Sequence, residues 1–178
     1  MGQYKTLTYV SKDLKVNENY MKYEVGATIS YDLGFRKISV LKRNIQLYYV
    51  NGLVDDMSVV HILRELIETN DFESKNDDIY DIIKNRLVNQ QVEEVNKIDE
   101  VTDQVLSGLI AVFVDGERKA FIVDTRHYPG RQPEEPDTER VIRGSRDGFT
   151  ENVVESTGLI RRRIRDKRLR NEMLRVGK

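Results

Sequence analysis

The chain has 178 residues, 39% of them hydrophobic and 33% charged, with no cysteine and a net charge of −1 at pH 7. That length can bury one sizeable core, or one core plus the start of another. The lack of cysteine excludes disulfides, thiolate catalysis and the usual zinc knuckles, and fits a reducing compartment.

No window approaches the roughly 20 apolar residues of a membrane helix, and the N-terminus has no apolar signal-peptide core, so the chain reads as soluble. Its small net charge conceals an asymmetry. From Gly158 onward nine basic residues stand against two acidic ones, a balance of +7 that leaves −8 for residues 1–157. A basic end suggests an acidic or membrane-facing neighbour.

In chain order, residues 1–16 carry no sustained period and read as a tail, and 17–127 read as a first lobe. Asn17 can cap a short helix carrying Tyr20, Met21 and Val25, which Gly26 weakens or ends. Leu33–Leu41 and Ile45–Val50 are rich in β-branched and aromatic residues, so Lys42, Arg43 and Asn44 are expected to turn a hairpin. Asn51-Gly52 ends the second strand. Asp55 then caps a helix whose apolar stripe is drawn through Val59, Val60, Leu63, Leu66 and Ile67.

Thr69–Asp78 is a polar loop, and the next helix, about Asp77–Leu87, buries Ile79, Ile82, Ile83 and Leu87. Val92 and Val95 fit no single period. Ile98, Val101, Val105 and Leu106 mark a short helix closed by Gly108. Leu109–Val114 and Lys119–Thr125 are apolar runs joined around Asp115-Gly116, a hairpin signal, and the first reads as a central strand covered on both faces.

Residues 128–148 form a connector. Tyr128–Phe149 holds all three prolines and three glycines, so it is neither a long helix nor a central strand. In 149–178, Phe149, Val153, Thr157, Ile160 and Ile164 fall at spacings of three and four and suggest a helix face. Gly158 inside it costs about 1 kcal/mol relative to alanine, and Arg161, Arg162, Arg163 and Arg165 decorate its last turn. Glu172–Val176 can form a strand, one with no evident partner in this chain. The expected architecture is α/β of the α+β kind: a mixed sheet built from two hairpins, with helices packed over it.

No GxxxxGK[ST], GxGxxG or GxSxG motif occurs. His61 lacks a cysteine or second histidine placed with it, and a structural or surface role leads over catalysis. His127 adjoins the connector, where a solvated bend is the plainer reading. Asp55-Asp56 and Asp77-Asp78 stand at helix starts, where capping explains them. Arg143-Gly144-Ser145-Arg146-Asp147-Gly148 can present an anion with N–H groups and guanidinium. Pairing of Arg140, Arg143 and Arg146 with Glu134, Glu135, Asp137, Glu139 and Asp147 competes with that reading and leads it. The arginines after Gly158 lack interleaved aromatics for base stacking, so a membrane-surface or interdomain role is at least as well supported as RNA contact.

The segment YPGRQPEEPDTERVIRGSRDGF, continued by ENVVESTGLIRRRIRD, resembles the spore germinant receptor A-subunit family (GerABKA type). The likeness runs through Pro129, Gly130, Arg131, Pro133, Glu135, Pro136, Asp137, Thr138, Glu139, Val141, Arg143, Gly144, Arg146, Asp147, Gly148, Phe149, Glu151 and Asn152. LYYVNGLVDD, KNRLVNQQVE and VLSGLIAVFVDG are similar to the same family, so the resemblance covers nearly everything after the tail.

It implies an N-terminal domain on the cytosolic, spore-core side of the inner spore membrane, acting in germination without catalysis or cofactor. It also implies that 17–127 is the first of two small α/β lobes and 149–178 the start of a truncated second, with attachment to the membrane through a C-terminal region missing from this chain. The expected partners are further copies assembled around an ion-conducting pore and companion membrane subunits, with no nucleic acid. On this view Arg131, Arg140, Arg143, Gly144, Arg146, Asp147, Gly148, Arg161, Arg162, Arg163 and Arg165 form an assembly or anion-binding surface. The alternative is a sensor that binds a small molecule or ion between lobes.

Overall fold

The computed structural model describes residues 7–71, 79–87, 91–126 and 152–177. His127, Asp77-Asp78 and the connector 128–148 lie outside the described residues.

The first helix, α1 (Leu14–Tyr20), is capped by Asp13, whose carboxylate accepts from the Lys15 N–H at 2.9 Å. The cap expected at Asn17 is thus one turn too late. Asn17 is buried inside the helix, where its amide accepts from the Ser11 N–H at 2.9 Å and donates to the Ser11 carbonyl at 2.8 Å. A short polar side chain that finds backbone partners before the helix ties the tail down instead of starting the helix. The helix widens into a π-helical turn over Met21–Val25 and stops at Gly26, whose φ of +88° suits a left-handed cap.

Strands β1 (Leu33–Val40) and β2 (Arg43–Val50) form the first hairpin, but the turn is Leu41-Lys42, with φ of 49° and 65°. A two-residue turn with both residues left-handed matches the twist of its strands, and that match outweighs the cost of placing side chains there. Asn70 supports it by accepting from the Leu41 N–H at 2.8 Å and donating to the Ser39 carbonyl at 3.1 Å.

Asp55 caps α2 (Asp56–Glu68), accepting from the Ser58 N–H at 2.8 Å. The face that enters the core carries Val59, Ile62 and Leu66, whereas Val60 and Ile67 of the expected stripe are exposed. The helix is apolar over a wide arc, and only contact with the sheet selects the arc centred on Ile62. Next come α3 (Ile79–Arg86), β3 (Val92–Val95), α4 (Ile98–Leu106), β4 (Ile110–Val114), β5 (Ala120–Val123) and α5 (Val153–Arg163).

The five strands make one sheet in the order β1-β2-β4-β5-β3, and every pairing is antiparallel. β4 is the middle strand and all five of its residues are buried. Its alternation divides the core. Ile110, Val112 and Val114 meet Ile62, Leu66, Ile79 and Ile83 of α2 and α3 on one side. Ala111 and Phe113 join Leu14, Met21, Ile98, Val101 and Val105 on the other. Helices therefore cover both faces of the sheet.

The buried residues of α5 are Ser156, Thr157, Gly158 and Arg161; of the expected face Thr157 is buried, but Val153 and Ile164 are exposed and Phe149 lies outside the described residues. The surface α5 meets is built of backbone turns and a carboxylate, which accept small and hydrogen-bonding side chains better than branched apolar ones. Glu172–Val176 forms no strand. The chain is docked just before it, where the Tyr31 N–H donates to the Asn171 carbonyl at 2.9 Å, and Met173, Leu174 and Val176 then stand in solvent.

Candidate functional site

Among the described residues, the most heavily built polar site lies where residues 161–171 meet the turn that leads into β1. That turn is held by its own backbone: the Ser30 N–H donates to the Gly26 carbonyl at 2.9 Å, and the Asn51 N–H to the Asp32 carbonyl at 2.7 Å. Asp32 therefore points inward with a fixed carboxylate.

The Arg161 guanidinium meets it in a fork, Nε to Oδ2 at 2.8 Å and Nη2 to Oδ1 at 3.2 Å, with side chains 0% and 1% exposed. Such a pair holds only if its remaining donors and acceptors are also satisfied. They are. Nη2 also donates to the Ser30 hydroxyl at 3.3 Å and the Leu169 carbonyl at 3.4 Å, and Nη1 donates to the Asp166 carbonyl at 3.3 Å. Asn171 completes the ring, its amide donating to Asp32 Oδ2 at 3.0 Å and its N–H to the Ser30 hydroxyl at 2.8 Å. Residues 164–171, which form no helix or strand, are thus wrapped around a buried cation.

Close approach of α5 makes this possible. A Cβ on Gly158 would lie 2.8 Å from the Gly52 carbonyl oxygen, so glycine is required where the helix crosses that turn. Tyr31 reinforces the crossing through its hydroxyl, which bonds to the Thr157 hydroxyl and donates to the Val153 carbonyl at 3.3 Å. Further along, Lys167 donates to Asp99 at 2.9 Å and to the Tyr20 hydroxyl at 3.1 Å, and Tyr20 itself donates to Asp99 at 2.8 Å. The hydrogen bonds from Lys167 and Tyr20 hold the Asp99 carboxyl below its ordinary range, and the same contacts raise the Lys167 ammonium. Arg170 donates to the Glu24 carbonyl at 2.9 Å.

A second charged cluster lies on the other flank of α1. Glu18, nearly buried, accepts from Lys37 at 2.8 Å and from the Gln46 amide at 2.9 Å, and it pairs with Lys22. Gln46 accepts in turn from the Tyr48 hydroxyl at 2.9 Å. Burial pushes the Glu18 carboxyl up, but the hydrogen bonds from Lys22, Lys37 and Gln46 outweigh it and bring it down to about 2. Burial, with the Glu18 charge nearby, pushes the Tyr48 phenol well above its ordinary range. Beside this cluster opens a cleft of about 330 Å³ that also reaches Asp13, Lys15 and Asp115.

The sequence-expected surface is divided by these facts. Arg131, Arg140, Arg143, Gly144, Arg146, Asp147 and Gly148 lie outside the described residues. Arg161 does not belong to any surface, because Asp32 draws it into the interior. Arg162, Arg163 and Arg165 are exposed, and Arg165 donates to the Ser107 hydroxyl at 3.3 Å. His61 is exposed on α2, 4.0 Å from Glu65. Among the described residues no group of three or more His, Cys, Asp or Glu is placed to hold a metal, and no helix is long and apolar enough to cross a membrane. Sequence reasoning missed Asp32, Ser30 and Asn171. A polar residue in a turn gives no periodic signal, and the partners of Asp32 come from 129 and 139 residues away.

Fold and clamp together define the class: an α+β lobe with a helix-covered antiparallel sheet and a C-terminal segment fastened to it by a buried ion pair. The sequence model of the family described as Bacillus/Clostridium GerA spore germination protein matches residues 19–178. The chain belongs to that family.

It is 57% identical over 161 residues to stage V sporulation protein AF of Bacillus subtilis (strain 168), covering 90% of this chain and 33% of that protein. It is 28% identical over 171 residues to spore germination protein KA of the same organism, covering 94% of this chain and 31% of that one. The chain thus spans about a third of the length of these relatives. The crystal structure of the N-terminal domain of the A subunit of the Bacillus megaterium spore germinant receptor GerK3 superposes with a TM-score of 0.73. The match covers 98% of this chain and 63% of that one at 20% identity, and it establishes the fold. This is a germination-related domain.

Proposed function

We propose that this chain is the non-enzymatic, spore-core-side domain of a spore germination membrane protein, and that it organises subunits of an ion channel in the inner spore membrane. The observation that carries the reading is the Arg161–Asp32 clamp. It fastens residues 152–171 to the lobe as an ordered extension, which is what a mounting surface requires. The relatives include a protein named as a membrane protein, YfkQ of Bacillus subtilis (strain 168), 29% identical over 130 residues. On this reading the connector supplies the subunit contacts through Arg143 and Arg146, with further copies and companion germination subunits as partners.

In the full-length protein, Arg143→Glu with Arg146→Glu should lower co-purification of tagged with untagged copies and slow germination. Wild-type levels of both would reject the connector as the assembly surface.

A second reading, a ligand-binding domain, is favoured by the mixed-charge cleft beside Glu18. Saturable heat of binding for an amino acid, sugar or nucleoside in isothermal titration, abolished by Lys37→Ala, would support it over the first.

A further inference from the structure

The sequence has a single Asn-Gly pair, Asn51-Gly52, and the fold sets it where α5 crosses the turn after β2. Such a pair can modify itself. The backbone nitrogen of the second residue attacks the asparagine side-chain carbonyl carbon, and glycine carries no Cβ to obstruct the approach. Both residues are partly exposed to water, and among the described residues the Gly52 N–H donates to no partner, so the nucleophile is uncommitted.

The reaction is restrained by the fastening of the turn. The Asn51 N–H donates to the Asp32 carbonyl at 2.7 Å, the Asn51 side-chain amide to the Tyr31 carbonyl at 3.2 Å, and the Leu53 N–H to the Val50 carbonyl at 3.2 Å. α5 closes over it: a Cβ on Gly52 would lie 2.7 Å from the Val154 carbonyl oxygen, just as one on Gly158 would meet the Gly52 carbonyl. The cyclic imide cannot form unless the Asn51-Gly52 peptide turns, and that peptide is held on both sides.

We infer that Asn51 is a deamidation site gated by α5: ring closure is slow while the helix is docked and proceeds when it lifts. The bond from the Gly52 nitrogen to Asn51 Cγ forms, the Cγ–Nδ2 bond breaks, and ammonia leaves with the proton given up by the Gly52 nitrogen. Water then opens the imide to aspartate or isoaspartate, and no other reactant is needed. Either product damages the seat of the helix. Aspartate replaces the amide donor at the Tyr31 carbonyl with an acceptor, so two acceptors face each other. Isoaspartate runs the main chain through the former side chain, lengthening it beneath a helix that has no slack at Gly52. Because the Asn51 N–H also fixes Asp32, a loosened turn weakens the clamp at its carboxylate. Lifting of α5 permits the modification and the modification hinders re-docking, so position 51 keeps a lasting record of each opening.

The test is incubation of the 178-residue chain at mildly alkaline pH, with peptide mapping and isoaspartate methyltransferase labelling to follow position 51. In the folded chain conversion should run at least about tenfold slower than in the same chain unfolded in urea. Gly158→Ala, which pushes α5 off Gly52 while raising its helix propensity, should carry the rate toward the urea value, as should Asp32→Ala. Converted chain, and Asn51→Asp, should exchange amides faster over 161–171 while β4 stays protected.

Equal rates in folded and unfolded chain overturn the inference, because α5 then gates nothing. Converted chain with wild-type exchange at 161–171 overturns it too, and absence of conversion even in urea removes the site itself. The comparison of folded and urea-unfolded wild type decides the gating even if both variants fail to fold.

Discussion

The sheet layer and the C-terminal segment are held by opposite physics. Around β4 cohesion is apolar and non-directional: Phe113 is fully buried, its ring meeting that of Tyr48 edge-on at 5.7 Å between centroids, and neighbours fill the space on both faces. Residues 164–171 bury few apolar groups and are positioned by directed bonds that converge on one guanidinium. The first arrangement tolerates small errors of angle and loses stability in proportion to the volume removed. The second depends on all its partners at once, because a buried charge without its counter-ion costs more than the pair contributes. The lobe should therefore fail globally when its core is cut, and the segment should fail locally when its clamp is.

The largest effect is expected in the sheet. Phe113→Ala should lower unfolding stability by about 4 kcal/mol, read as a lower urea midpoint, with amides of the sheet and of residues 164–171 losing protection together. If only one of the two regions lost protection, the sheet would not be the common foundation.

Next comes Asp32→Ala, expected to cost about 3 kcal/mol by leaving Arg161 buried and uncompensated. Its signature in hydrogen exchange is uneven: residues 161–171 should open while β4 and β5 remain protected. Adding Arg161→Met should restore much of the stability without restoring the segment's order. A double variant with wild-type exchange at 166–171 would show that the clamp does not shape the segment.

The smallest effect sharpens the contrast from the side of Glu18, a charged group that keeps contact with water. Its folded pKa, about 2, lies below the ordinary 4.5. Its contribution is therefore fully present above pH 4.5 and is lost as pH falls toward 2. After allowance for the half-exposed Lys37, the loss should be about 2 kcal/mol. Glu18→Gln should flatten that limb of the stability–pH curve. Unchanged acid sensitivity in this variant would mean that other carboxylates govern it.

Much of the lobe was legible because its signals are local. The Asp55 cap, the stripe of α4 and the hairpin around Asp115-Gly116 each depend on residues within a few positions of one another, and the structure places all three where pattern reading does. β3 was not legible. Its four residues, Val-Glu-Glu-Val, include two exposed glutamates, and only pairing with β5 makes them a strand. The stripe on α2 took in Val60 and Ile67 and missed Ile62, since an apolar arc wider than the contact leaves the choice of face to the sheet. The possible strand at Glu172–Val176 pairs with no strand among the described residues. Val153 and Ile164 misled for a related reason: periodicity shows which residues share a face, not what that face meets.

The sequence by itself determined both hairpins, the helices that cover the sheet and the concentration of positive charge after Gly158, because each is carried by neighbouring residues. It did not determine which arginine in Arg161-Arg162-Arg163 is structural. All three have the same chemistry, and what separates them is a carboxylate 129 positions earlier that folding brings within 2.8 Å of one of them. Burial decides between identical side chains, and burial is a property of the assembled fold alone.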